Sequence, residues 1–327
     1  MTIQSMLIPE ERAALDSFEL RCPRCRDAFI ASETDDDSLL CMGCRFPMEF
    51  KGGVWHALPV ERATYYARFI RDYEAIRSAE GRGSSEDSYY LALPFAPHTD
   101  RNAAQWKIRA RTYRYLSRKL LEPAQSASRP SIRILDIGAG NGWLSYRLAK
   151  AGMTPVSVDL LTNDTDGLRA ARHYDAHLKQ PFLRIQAESD RLPFCDSQFD
   201  FAIFNASFHY AEDFTRTLRE SLRCLRVGGK VVIADSPWYG KEESGWQMLV
   251  ERRSQFFNRF GTFSDSIKSQ EFLTDQRLGQ LAEQLGLEWE RHVPFYGFRW
   301  SLRPWVAAIR RRREPSTFRI YVTTKSA

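Results

Sequence analysis

Residues 131–146 read SIRILDIGAGNGWLSY. A short apolar run, Ile132 to Ile137, is broken by one carboxylate, Asp136, and followed by three alternating glycines, Gly138, Gly140 and Gly142. A helical pattern begins at Trp143. The stretch predicts a strand, a tight turn and a helix start. Glycine there permits left-handed backbone and lets a nucleotide-like ligand lie against bare main chain.

Beyond this stretch, strands predicted at Thr154–Asp159, Phe182–Ala187, Phe199–Asn205 and Lys230–Asp235 alternate with helices near 142–151, 165–178 and 213–225. Such alternation argues for a parallel sheet covered on both faces, with ligands at the carboxyl ends of its strands. A helix at Thr274–Leu285 and strands at Glu288–Val293 and Phe318–Thr323 complete the expected fold class: α/β, a doubly wound, mostly parallel, seven-stranded sheet over 131–327. The aromatic-rich stretch 238–272 falls where a lid would be inserted.

The chain has 327 residues, enough for one such domain and something smaller. No stretch of about 18 consecutive apolar residues predicts a membrane span, and the N-terminus lacks a basic region followed by an apolar core. A cytoplasmic location is expected. The net charge of +6 permits contact with nucleic acid or an anionic membrane without requiring either.

The smaller unit is residues 1–58. Cys22 and Cys25, then Cys41 and Cys44, form two CxxC knuckles separated by fifteen residues. This spacing aims four thiolates at one tetrahedral structural Zn2+ with no open position. An acidic turn, Glu33 to Asp37, joins them. Two amphipathic helices fill residues 59–130, with Ala63, Tyr66, Ile70, Tyr73 and Ile76 on the apolar face of the first. The second runs from Asp100 to about Leu121 and carries a basic face that includes Lys107, Arg111 and Arg114. An Ala- and Ser-rich boundary, Pro123 to Pro130, precedes the central domain.

Two details choose the ligand. The turn is G-x-G-x-G, not the G-x-G-x-x-G that receives a pyrophosphate. A carboxylate at Asp136 suits a cationic ligand end, as in the ammonium of S-adenosyl-L-methionine. Asp159, ending the second strand, is placed to accept ribose hydroxyls.

The run Glu188-Ser189-Asp190-Arg191-Leu192-Pro193-Phe194, followed by Asp196 to Asp200, with LDIGAGNG and Val227-Gly228-Gly229, resembles the class I methyltransferase family. Its wording is closest to the type 11 domains, which include quinone-biosynthesis C-methyltransferases. The resemblance implies that Glu188 holds the adenine amino group and that the Ser189 backbone holds a ring nitrogen. It also implies that Gly138, Ala139, Gly140, Leu160 and Asn205 line the cofactor site. The sequence around the knuckles resembles the small zinc-ribbon activator of tRNA and release-factor methyltransferases, here in cis.

Methyl transfer requires positioning in a dry site more than catalytic side chains. Asn205 to Tyr210 lacks the N/D-P-P-Y sequence of enzymes that grip a planar amide or amine. His209 is the candidate general base, because an ordinary imidazole titrates near neutrality. A small or lipid-like acceptor is expected, with an RNA acceptor or a non-catalytic cofactor-binding role as alternatives. Residues 291–313 hold seven arginines and no acid among aromatics, a composition suited to peripheral membrane contact. The oligomeric state is left open.

Overall fold

The computed structural model describes residues 15, 17–32, 37–96, 100–127, 131–263 and 265–326. Most of the acidic turn expected at 33–37, the end of the boundary segment (128–130) and residues 1–14 lie outside them.

One eleven-stranded sheet organises the chain. Four short strands come from the N-terminal unit: β1 (Phe29–Ala31), β2 (Ser38–Cys41), β3 (Pro47–Lys51) and β4 (Val54–His56). They are joined antiparallel in sequence order. The remaining strands are β5 (Arg133–Ile137), β6 (Thr154–Asp159), β7 (Leu183–Gln186), β8 (Phe199–Asn205), β9 (Leu225–Ala234), β10 (Glu290–His292) and β11 (Ile320–Thr324). Their spatial order is β7-β6-β5-β8-β9-β11-β10. The first five of these run parallel, and β11 enters antiparallel between β9 and β10. This is a Rossmann-like α/β fold with a parallel core. Its strand order reverses between β5 and β8, which opens a crevice at their carboxyl ends.

The central strands owe their place to uninterrupted apolar sequence. Ile134, Leu135, Val156, Ile203 and Val232 are fully buried, as in strands covered on both faces. Each face of the sheet carries its own apolar cluster. The N-terminal unit shares one of them: Phe18, Met48 and Trp55 pack with Leu135, Val156 and Phe194. Phe18 stacks on Phe199 at 5.2 Å. The junction is also paired in the backbone, because β4 runs parallel to β7 with Trp55 opposite Ile185.

The helices include α1 (Val60–Ala79), α2 (Asp87–Ala92), α3 (Ala103–Leu116), α4 (Trp143–Lys150), α5 (Phe214–Cys224), α6 (Glu242–Phe260), α7 (Asp275–Leu285), α8 (Phe298–Ser301) and α9 (Arg303–Ile309); a further short helix, Glu122–Ser126, enters the expected boundary segment. Asp213 caps α5 by accepting the Arg216 N–H at 3.0 Å, and Thr274 caps α7 in the same way through Arg277. α6 occupies the stretch where a lid was expected.

Three expectations shift. Residues 165–178 do not form an α-helix: Leu168–His177 winds as a 3-10 helix. Its buried positions are Leu168, Ala170, Ala171 and Tyr174, of which the first, third and fourth follow the three-residue period of that tighter helix. Its start is delayed because Asn163 Oδ1 accepts the N–H groups of Thr165, Asp166 and Gly167. In α1 the buried face is Tyr66, Phe69 and Ile76, whereas Ala63 is exposed. The second amphipathic helix begins with a single 3-10 turn at Asp100–Asn102 and widens to a π-turn at Ser117–Leu121. Among the described residues no helix is long and apolar enough to cross a membrane.

Candidate functional site

The glycine turn forms the floor of a cavity of about 1200 Å3 at the carboxyl ends of β5, β6 and β8. Gly138 and Gly140 both have left-handed backbone, φ 74° and 56°. The N–H groups of Gly138 and Ala139 both point to Val158 O, at 2.7 and 3.1 Å. A Cβ on Gly138 would lie 2.2 Å from Ser207 Cβ. Only glycine fits where β5 and β8 turn past each other.

Of the residues expected to hold a cofactor, Gly138, Ala139, Gly140, Asp159, Leu160, Glu188, Ser189 and Asn205 all line this one cavity. Asp159 anchors the turn: its Oδ2 accepts Gly140 N–H at 2.7 Å and its Oδ1 accepts Leu161 N–H at 2.8 Å. Burial raises its pKa to about 6. Each oxygen retains a lone pair for a hydroxyl.

Asp136 departs from expectation. It does not line the cavity but is buried behind the turn, 1 % exposed. There Ser145 Oγ donates to it at 2.8 Å and is itself held by Ser157 Oγ at 2.8 Å. Burial, opposed by the Ser145 hydrogen bond, pushes its pKa to about 7. The alternation of β5 decides this. The residue before a glycine turn can point under the sheet as readily as toward the crevice, and Ser145 on α4 supplies the partner beneath.

Glu188 is 3 % exposed. Its Oε1 accepts Arg62 Nη2 at 2.6 Å, Arg62 Nε at 2.9 Å and Tyr66 Oη at 3.1 Å. Its Oε2 has no hydrogen-bond partner, with Arg191 Nε 4.0 Å away. Both side-chain polar atoms of Asn205 are buried and unpartnered. A buried polar group left unpaired is costly. Two such groups on one cavity wall therefore mark where a polar ligand completes the structure.

Helix α1 roofs the cavity with Tyr66, Phe69, Tyr73 and Arg77, a stripe at helical spacing. Arg77 Nε reaches across to Asp166 Oδ2 at 2.5 Å. The sequence placed Tyr66 and Tyr73 on the apolar face of this helix but gave none of the four a part in the site. The basic and aromatic members of its inward face were the available signal.

A second cavity of about 1020 Å3 adjoins the first, and Phe69, Tyr73, Arg77, Arg109, Ala206 and Tyr210 line both. His209 belongs to this second chamber. Its imidazole is buried, with Nδ1 3.3 Å from Ser236 Oγ, and burial lowers its pKa to about 4. At neutral pH it is an uncharged ring and a weak base, not the near-neutral titrating group the sequence suggested. Asp235, unassigned by sequence, lies in the same chamber. Its Oδ1 accepts Thr112 Oγ1 at 2.6 Å, and its Oδ2 is buried without a partner. Burial raises its pKa to about 6, and its backbone is left-handed at φ 53°. Arg109, stacked on Trp106 at 4.9 Å, brings a cation whose pKa burial lowers to about 10.

The four knuckle cysteines converge, with all four Sγ atoms within 4.8 Å of one another. Arg26 and Arg45, each following the second cysteine of a knuckle, are both left-handed, at φ 74° and 58°. Each donates its N–H back to the first cysteine's carbonyl, at 2.9 and 3.1 Å. The two knuckles thus have the same turn geometry, and a set of four thiolates suits tetrahedral zinc. Arg26 also forms a forked pair with Glu220, at 2.7 and 3.2 Å. Despite its burial, hydrogen bonds from Arg223 and Arg26 hold Glu220 below the usual carboxylate range. Glu220 Oε1 in turn accepts Leu192 N–H at 2.8 Å. The cysteine unit therefore braces the loop that starts at Glu188.

Comparison with known proteins fits this geometry. Residues 135–233 match a family model described as a methyltransferase domain. The malonyl-[acyl-carrier protein] O-methyltransferase of Erwinia pyrifoliae is 27 % identical over 164 residues, 50 % of this chain and 58 % of that protein. The demethylmenaquinone methyltransferase of Mycobacterium marinum is 30 % identical over 106 residues, 32 % of this chain and 42 % of that one. The chloroplastic 2-methyl-6-phytyl-1,4-hydroquinone methyltransferase 2 of Oryza sativa is 34 % identical over 144 residues, 43 % and 40 % of the two chains. The chain spans 58, 42 and 40 % of the length of these three relatives. Over residues 135–233 the chain is thus similar to a methyltransferase domain.

Proposed function

We propose that the whole chain is an S-adenosylmethionine-dependent methyltransferase acting on a small or lipid-like acceptor held in the second chamber. One observation carries the reading. Glu188 and Asn205, which line the cavity floored by the glycine turn, both carry buried polar atoms without a partner. Glu188 Oε2 and the Ser189 backbone would hold the adenine, Asp159 and Leu160 the ribose, and Asn205 with the turn at Gly138–Gly140 the methionine end. Bound there, the cofactor supplies a methyl group on a sulfonium, whose sulfur keeps the electron pair of the broken bond.

The chain's own residues do the rest. Ala206 and Tyr210 line both chambers, so an acceptor in the second meets the methyl group between them. The roof of α1 excludes water, which favours displacement at a charged centre. An acceptor hydroxyl or acidic C–H gives up its proton as the new bond forms. Asp235 Oδ2, with its pKa near 6, is ionised at neutral pH and free to receive that proton. His209 positions this wall through Ser236. Relatives whose names specify acyl-carrier and quinol substrates, and the absence of an N/D-P-P-Y sequence, support a small or lipid-linked acceptor. In this reading the four cysteines hold structural zinc. The unit then braces the Glu188 loop through Arg26 and Glu220.

Calorimetric titration with S-adenosylmethionine tests the cofactor. A saturable isotherm is expected, weakened roughly tenfold or more by Glu188→Gln, because a hydrogen bond to a charged group is lost. Absence of binding by the wild type overturns the reading. Incubation of the protein with methyl-labelled cofactor and a fractionated lysate should place label in the small-molecule or lipid pool. Label confined to RNA overturns the acceptor class.

A further inference from the structure

We propose that residues 293–313, with the adjoining basic face of α3, form a docking surface for an anionic lipid bilayer. Val293, Phe295, Phe298, Leu302, Trp305 and Ile309 are 64, 62, 79, 56, 72 and 81 % exposed. One exposed apolar side chain is ordinary, but six within seventeen residues, on two short surface helices and the loop before them, make a patch that needs a partner.

Within the patch the charge has one sign; from outside it Glu290 pairs with His292 at 2.9 Å and Glu251 with Arg313 at 2.8 Å. Residues 291–313 contain seven arginines and no acid, and Arg291, Arg299, Arg310, Arg311 and Arg312 are exposed. Helix α3 adds to it. Tyr115 Oη lies 3.0 Å from His292 Nδ1, and Thr112 Oγ1 lies 2.9 Å from Tyr296 Oη. Arg111 Nη1 sits 3.1 Å from where a Cβ on Gly297 would be. The exposed Lys107, Arg111, Arg114 and Arg118 of that helix and its continuation thus flank the patch.

This chemistry selects the occupant. A nucleic acid would pair with the arginines but leave Val293, Leu302 and Ile309 in water. A bilayer with anionic headgroups takes both, with aliphatic side chains and Trp305 in the acyl boundary and guanidinium groups at the phosphates. The surface also leads inward. Tyr296 and Trp300 pack on Phe318, at 6.5 and 5.4 Å, and Phe318 lines the second chamber. On the proposed reading of that chamber, on which this last step rests, a docked protein draws a lipid-like acceptor from the bilayer beside it.

The test is co-sedimentation of the full chain with phosphatidylcholine vesicles, with and without phosphatidylserine, at low and high salt. The protein should pellet with anionic vesicles at low salt, be released by salt, and ignore neutral vesicles. Replacing Arg310, Arg311 and Arg312 by Gln should lower partitioning about a hundredfold. The pair Trp305→Ser and Ile309→Ser should lower it at low salt as well, with the charges left in place. All five side chains are exposed, so circular dichroism and melting temperature should not change. Failure to pellet with anionic vesicles, or equal pelleting by wild type and both variants, overturns the proposal, as does salt-sensitive RNA binding abolished by the same variants without vesicle binding. Titration with S-adenosylmethionine is read separately: normal cofactor binding without docking refutes the surface alone, and docking without cofactor binding refutes the enzymatic reading alone.

Discussion

Replacing Asp136 by Asn tests the electrostatics beneath the glycine turn. The wild-type carboxyl is 1 % exposed, and burial raises its pKa from 3.8 to about 7. At about 1.4 kcal/mol per pH unit, ionising it costs the folded state on the order of 4 kcal/mol. A raised acid pKa means that the folded chain holds a proton the unfolded chain has released. Its stabilising contribution is therefore full below about pH 4 and is lost as pH rises through about 7. The Asp136→Asn side chain would keep an acceptor for Ser145 Oγ–H, now 2.8 Å from the carboxylate, and cannot ionise. Urea unfolding of both proteins, without cofactor, should give similar stabilities near pH 4. A gap in favour of the variant should then open through pH 5 and 6 and approach about 4 kcal/mol by pH 8. A difference that does not change with pH, or a variant less stable at pH 8, refutes the reasoning. Loss of S-adenosylmethionine affinity with no pH-dependent stability change would return Asp136 to the ligand-facing role expected from sequence.

Other outcomes follow from the same geometry. Gly138→Ala places a Cβ 2.2 Å from Ser207 Cβ in left-handed backbone. Its melting temperature should fall by roughly 4 °C or more, together with S-adenosylmethionine binding; an unchanged melt and isotherm would contradict the account of the turn. Elemental analysis should find one zinc per chain. Chelation should red-shift tryptophan emission, because Trp55 and Phe18 share the core with β5 to β8. A metal-free chain with an unchanged melting curve argues against a zinc site.

The parts of the site legible in the sequence were those in which local chemistry has a single use. Alternating glycines need left-handed backbone wherever the chain goes, so Gly138 and Gly140 announced the cavity floor. Four cysteines in two knuckles converge because each knuckle closes its own turn. The strand that ends at Asp159 put that carboxylate beside the turn through strand spacing alone. His209 was expected to titrate near neutrality because a titration range belongs to an environment, and burial that lowers the imidazole to about 4 is invisible in a linear chain.

Sequence by itself determined the strand–helix alternation, the glycine turn and the cysteine knuckles, all set by backbone sterics and side-chain period over a few residues. Only tertiary structure decided which side of β5 Asp136 faces, and that Tyr66, Phe69, Tyr73 and Arg77 of α1 roof the cavity. It also brought Asp235 and Arg109 into the second chamber and joined the cysteine unit to the sheet through β4 and β7. Those results depend on pairing between distant segments, as between His56 and Gln186, 130 positions apart at that junction. They depend too on the cost of burying charge, and both are fixed when distant segments compete for one core.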